Sequence, residues 1–307
     1  MWRRTILPTL VLAAALAPAS AEPLFESRQL TPKGEYTFGI EGPAVDAAGT
    51  LYVVNHLRAG TIGKVAAGAT RSELFAELPQ GSIGVSIRFG ADRRMYLADY
   101  KNHNVFVFDA GASVPRLYFH SGQFNQPNDM ALARDGTLYA SDPHWRRRDG
   151  QVWRIMPGAD GLGRGAPMTS ERKLGTTNGI DLSPDESTLY VAESETREIW
   201  AYRVDGDRLA APRLVKKFSD VSLDGIRTDV DGRIYVARIL KGTVVVLAPD
   251  GRELREIRLT AAEPTNLAFG GADGRTVYVT QRKGGFIETF RADRPGREFC
   301  LQQADRC

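Results

Sequence analysis

Cysteine is nearly absent from this chain. Of 307 residues only Cys300 and Cys307 carry thiols, both in the last stretch of sequence. Histidine is almost as scarce, with four copies. No GxSxG elbow and no HExxH helix occurs, so neither a serine hydrolase nor a zinc protease is indicated. Helical periodicity is hard to find after the first twenty residues, and no linker, charge block or low-complexity run interrupts the chain. A strong basic bias is also missing. Removal of Arg3 and Arg4 with a leader would take the formal charge from +3 to +1, which does not suit a nucleic-acid partner. At 42% hydrophobic and 25% charged residues, the composition is that of a folded globular protein.

What is present is one sentence written six times. Its clearest copy is Thr177 to Ser194, TNGIDLSPDESTLYVAES: a polar residue, a short apolar strand, a turn, and a second strand ending in Leu-Tyr-Val. The repeated tyrosines are Tyr52, Tyr96, Tyr139, Tyr190, Tyr235 and Tyr278, spaced 44, 43, 51, 45 and 43 residues apart. Short strands recurring every 40–45 residues mark a β-propeller, so the expected fold is all-β, a six-bladed β-propeller. The long spacing coincides with an insertion at His144 to Asp149, containing Arg146, Arg147 and Arg148, and a glycine-rich loop from Pro157 to Pro167. Charge runs of this kind are usually solvated surface.

The N-terminus reads differently. Arg3 and Arg4, an apolar stretch from Thr5 to Ala17, and Ala19-Ser20-Ala21 form a secretory signal peptide whose core is too short to span a membrane. The expected organisation is a signal peptide over 1–21 and one propeller domain over 22–307 with a short polar C-terminal tail. Part of the lead-in from Glu22 to Phe38 is expected to return and complete the last blade. The mature protein is then exported, periplasmic in a Gram-negative bacterium or otherwise secreted, without a membrane anchor and monomeric. In such a compartment Cys300 and Cys307 can close a small loop. They lie far from the repeats and have no expected catalytic role.

Counting back from the tyrosines, Glu41, Asn128 and Asp224 stand 11 residues before theirs, and Asn178 and Asn266 stand 12 before. Only blade two breaks the series, with Gly84 and Val85. First strands line a propeller's channel, so five blades aim carboxylates and amides at one axial point. Such oxygen donors suit a divalent cation, calcium first, with magnesium, manganese or zinc as alternatives. Without a cation Glu41 and Asp224 would be like charges in a partly enclosed site. A second register, just after each Leu-Tyr-Val, holds Asn55, His56, Asp99, Asp142, Glu193, Arg238 and Gln281. Asp99 and Asp142 are candidates there for supporting groups, a second metal site or proton carriers, and His56 and His144 for proton transfer.

Glu41-Gly42-Pro43, Pro127-Asn128-Asp129, Ser141-Asp142-Pro143, Thr177-Asn178-Gly179-Ile180, Leu223-Asp224-Gly225 and Pro264-Thr265-Asn266-Leu267 occur in the order seen in one known family. As a set they resemble the senescence marker protein/gluconolactonase family, which includes regucalcin and bacterial lactonases. The resemblance covers about Gly39 to Thr280. It implies a channel metal held by Glu41, Asn178 and Asp224, and substrate contact by Asn128. Gln126 stands where aldonolactone-hydrolysing members often carry arginine, and is a further substrate-contact candidate. Asp129, Asp142 and Asn266 are candidates for supporting this set.

The function expected on these grounds is metal-dependent hydrolysis of a small lactone or ester. Asp224 would serve as both ligand and general base, and Asn128 would orient the substrate. A phosphotriesterase-like hydrolase on the same site and a non-catalytic ligand-binding propeller remain the alternatives.

Overall fold

The computed structural model describes residues 23–307. The expected signal peptide, and its boundary at residue 21, lie outside the described residues. No helix among the described residues is long and apolar enough to cross a membrane.

Six sheets form the blades, and their strands run outward from the channel in chain order except for the outermost strand of blades four and six. Blade one comprises Tyr36–Val45, Leu51–His56, Thr61–Val65 and Glu73–Glu77. Blades two to five follow the same antiparallel meander, and blade four gains a fifth, parallel strand at Thr169–Ser170. Blade six is built from Pro264–Gly270, Thr276–Gln281 and Phe286–Arg291, and its outer strand is Arg28–Gln29 from the other end of the chain. The lead-in thus does return, and pairing the two ends covers what would be an exposed sheet edge.

The repeated Leu-Tyr-Val has a packing reason. Inner strands have a neighbouring blade on each side, so both faces are buried and a polar/apolar alternation would leave one face unsatisfied. In blade four Leu189 and Val191 pack toward blade three, while Tyr190, facing the other way, packs toward blade five. Each of the six hydrophobic clusters is shared between two adjacent blades, including Ile40, Val53 and Leu51 against Ala268 and Ile287 across the closure. The outermost strands look outward, and Glu253–Arg258 buries only Ile257.

The tail departs from the sequence expectation. Its polar residues form a short helix, Arg297–Gln302, that enters the protein and buries Arg297 and Phe299. The helix docks on the turns that end the first strands: Gln302 and Gln303 donate to the carbonyls of Val45 and Ala47. Charge made this segment look like surface, but its charges meet buried partners. Arg297 pairs with Asp181 at 2.8 Å and Glu298 with Arg88 at 2.8 Å. Cys300 and Cys307 are joined, closing the loop behind the helix.

Candidate active site

The polar ring sits at the opposite end of the channel, where each first strand begins. Glu41 and Asn178 lie within their strands at points where the pairing register slips. Asn266 lies at the same kind of irregularity in blade six. Bulges of this type re-aim side chains, here toward the axis. Asn128 and Asp224 occupy the bends just before Met130–Leu132 and Ile226–Thr228. The Asn-Gly and Asp-Gly pairs that resemble hairpin turns are close approaches between blades. A Cβ on Gly179 would stand 2.4 Å from the Asp224 carbonyl oxygen, and one on Gly225 would stand 2.1 Å from Asn266 Oδ1. Only glycine lets adjacent inner strands come this near.

A cavity of about 370 Å³ opens over this point and is lined by Glu41, Gln126, Asn128, Asn178, Asp224 and Arg282, among others. The five residues given a metal or substrate role from sequence therefore share one cavity, and Asn55 of the second register also lines it. Asn178 Nδ2 donates to Asp224 Oδ1 and to Ser194 Oγ, both at 2.9 Å. Ser194 Oγ in turn donates to the Leu223 carbonyl. Glu41 Oε2 accepts from the Gly42 amide at 3.1 Å. Asn128 is fixed through its backbone, its amide donating to the Ser141 carbonyl and its carbonyl accepting from Ser86 Oγ.

The supporting candidates are placed elsewhere. Asn266 is buried beneath the ring, where it hydrogen-bonds Glu41 and accepts from the Leu267 amide. Asp129 turns away from the cavity and meets Arg88 and Arg227. Asp142 accepts from the amides of Asn125 and Gln126, from Gln151 and from the Trp153 indole. It thereby holds the loop that carries Gln126 and Asn128, and acts on the ring only through that backbone.

The rest of that second register does similar work. Asp99, Glu193 and Gln281 accept from the amides of Ile83, Gly175 and Glu263, each in the loop leading into its own blade. Asn55 and Arg238 donate to the carbonyls of Gly39 and Val221 in the equivalent loops. His56 is buried edge-on against Tyr36 and does not line the cavity. Burial pushes its pKa down. His144 Nδ1 accepts from the Arg147 amide within the inserted loop.

Sequence reasoning missed Arg282, Tyr100 and Trp145, which also line the cavity. Arg282 and Tyr100 come one residue after Gln281 and Asp99. Both are the first turn residue after their strand ends at Asp99 or Gln281, so a shift of one position would have found them. Arg282 Nε pairs with Glu263 at 3.0 Å, and its guanidinium lies over the Phe38 ring at 4.6 Å.

Electrostatically the ring is unbalanced. Burial pushes the Glu41 carboxyl up to about 7, and the charge of Asp129 adds to the effect. Asp224 is raised well above the usual carboxylate range by burial and by Glu41, against the opposing pull of Asn178 and Arg282. Two enclosed carboxylates of like charge share a face open to the cavity. Among the described residues no three His, Cys, Asp or Glu side chains are grouped so that they could hold a metal ion. A cation here would therefore rest on these two carboxylates and on amide oxygen. The donors fit that role: Asn178 commits its Nδ2 within the protein, which leaves Oδ1 as an acceptor for a hard cation.

The architecture is shared with solved proteins. A gluconolactonase from Xanthomonas campestris superposes with a TM-score of 0.70 at 24% identity, covering 88% of this chain and 89% of that one. A calcium-binding protein, regucalcin, from Agrobacterium tumefaciens gives 0.69 at 18% identity, covering 88% and 97%. At these identities the likeness speaks for the fold alone. In sequence, a gluconolactonase of Zymomonas mobilis is 27% identical over 65% of this chain, a match spanning only 60% of that relative's length. The SMP-30/Gluconolactonase/LRE-like family profile matches residues 40–283, and the chain belongs to that family.

Proposed function

We propose that this protein is a metal-dependent hydrolase of a small lactone. The observation that carries this reading is the pair of raised carboxyls, Glu41 and Asp224, facing one cavity beside Asn178. Similarity to proteins named as lactonases supports the reaction class. The name of the regucalcin neighbour supports calcium as the first cation to test. Glu41, Asn178 and Asp224 would hold the ion. When bound, it supplies a Lewis acid that polarises the carbonyl and steadies negative charge on its oxygen.

The chain's own groups supply the rest. Asp224 Oδ1 is engaged by Asn178, so Oδ2 is the atom free to take a proton. It removes that proton from water as the water oxygen bonds to the carbonyl carbon. The ring C–O bond then breaks, and Asp224 returns the proton to the departing oxygen, giving a hydroxy acid. The side-chain amides of Asn128 and Gln126 make no hydrogen bond within the protein among the described residues, and they are placed to orient the substrate.

Export completes the reading. The Cys300–Cys307 bond suits an oxidising compartment, and the protein would act there as a monomer. A mature N-terminus at Glu22 in the exported fraction, with a monomer mass in sedimentation, is the expected result. The decisive experiment on function strips the protein with a chelator, restores calcium, magnesium, manganese or zinc singly, and measures hydrolysis of a lactone panel. Paraoxon turnover above lactone turnover would favour a phosphotriesterase. Inertness of the metal-replete protein across lactones and esters would make it a binding propeller.

A further inference from the structure

The cavity has two unlike sides. The polar ring is broken at blade two, and that break faces the same cavity. Ala59, Ile83, Val85, Tyr100 and Trp145 line it there. Val85 stands where the other five blades place a carboxylate or an amide. It is 8% exposed and belongs to the cluster shared by blades two and three, against which Tyr100 also packs. This wall is therefore a continuation of the protein core and is held rigidly.

Little on this side can serve a hydroxyl group. Asn55 lines the cavity too, but Nδ2 donates to the carbonyls of Gly39 and Gly84 and Oδ1 accepts from the Gly60 amide. Thr37 Oγ1 accepts from the Gly39 amide. The polar groups left on this side are the Tyr100 hydroxyl, the Thr37 O–H as a donor and the Trp145 indole N–H, three against the apolar faces of Ala59, Ile83, Val85 and Trp145. Trp145, 39% exposed, extends the apolar surface to the mouth, carried there by the loop inserted in blade three. A sugar ring with a hydroxyl on nearly every carbon, placed against this wall, would lose more water than these few groups replace. A hydrocarbon substituent would gain by the same burial.

Taking lactone hydrolysis as the reaction, we infer that the blade-two wall is a subsite for an apolar substituent. The preferred substrates are lactones bearing an alkyl or aryl group, ahead of polyhydroxylated sugar lactones. The carbonyl lies at the Glu41–Asp224 pole, the ring polar atoms meet Asn128 and Gln126, and the hydrocarbon arm lies on Val85, Ile83 and Trp145. A cavity of about 370 Å³ holds a lactone ring with a short arm and little more.

The test compares kcat/KM of the cation-supplied protein for δ-valerolactone, δ-hexalactone, δ-octalactone and δ-decalactone with that for D-glucono-1,5-lactone. The expected result is a rise of about fourfold per added methylene until the wall is covered, with gluconolactone below δ-octalactone. Trp145→Ser changes an exposed loop residue and should fold normally. It should lower the δ-octalactone value at least about tenfold more than the gluconolactone value. Val85→Asn, which restores a polar residue to the gap, should flatten the alkyl series further. A flat alkyl series with gluconolactone preferred would overturn this inference and leave the lactonase reading standing. No turnover of any lactone would remove both.

Discussion

The two ends of the channel carry the same kind of residue in opposite circumstances. At the base, Asp129 is completely buried, and burial by itself would raise its pKa. Arg227 and Arg88 outweigh that effect and hold its carboxyl below the usual range. Asp181 is likewise buried, beside Arg297 and the hydroxyl and amide of Thr228. At the mouth, Glu41 and Asp224 are raised instead: burial lifts both, and the pull of Arg227 on Glu41 and of Arg282, itself paired with Glu263, on Asp224 does not offset it. Asn128 and Asp129 are adjacent in the chain and serve opposite ends. Burial alone does not mark a functional acid. Burial without compensation does, because folding gains nothing from leaving two charges unmatched.

The sharpest way to break this comparison is the same substitution at both ends. At the mouth, Asp224→Asn keeps shape and one oxygen but removes charge and basicity. We expect kcat to fall by about 10²–10⁴ at saturating cation, with the folded protein no less stable. At the base, Asp129→Asn leaves Arg88 and Arg227 facing each other without a carboxylate. It should cost about 3–5 kcal/mol in urea unfolding. If the stability loss appeared at Asp224 and the rate loss did not, the two ends would have been assigned the wrong way round.

A smaller effect is expected at the tail. Replacing Cys300 and Cys307 together with serine frees a loop of seven residues' separation. The loop-entropy estimate is a loss of about 2–3 kcal/mol in stability. The ring at the far end keeps its residues, so kcat per folded molecule should hold. A matching collapse of kcat would show that the base plug governs the mouth.

The mouth was far more legible in the sequence than the base. The tyrosine period marks six blades, and the offset of Glu41, Asn128, Asn178 and Asp224 from it points them at the cavity they line. Repetition makes a position visible, because six copies share the same geometric demand. The base has no such signal. Arg88 and Arg227 occupy equivalent sites in two blades only, and Arg297 and Glu298 come from a tail outside the repeats. A buried ion network assembled from distant segments looks, residue by residue, like ordinary surface charge. The second register, of which Asn55 alone lines the cavity, failed otherwise for a simpler reason. Its polar residues hold the loops before each blade, and the cavity-facing position is one residue later, at Tyr100 and Arg282.

The smallest effect concerns pH and separates the ends without measuring catalysis. In protein stripped of divalent cations, Glu41 has its pKa raised to about 7 in the folded state, against a usual carboxylate value near 4.5. A raised carboxyl favours the protonated folded form. The stability it contributes is complete below the unfolded value and is lost as pH rises through the folded value. Glu41→Gln cannot ionise, so it should match wild type near pH 4 and exceed it near pH 8. Part of Glu41 faces solvent-filled cavity, so the gain is on the order of 1 kcal/mol. Adding cation at pH 8 should reverse the order, because wild type alone keeps both carboxylate ligands and binding stabilises the folded state. Thermal unfolding at pH 5 and pH 8, with chelator and then with calcium, reads both signs. Parallel curves for wild type and variant at every pH, with no reversal on adding cation, would mean that Glu41 carries no uncompensated charge and that the mouth is as balanced as the base.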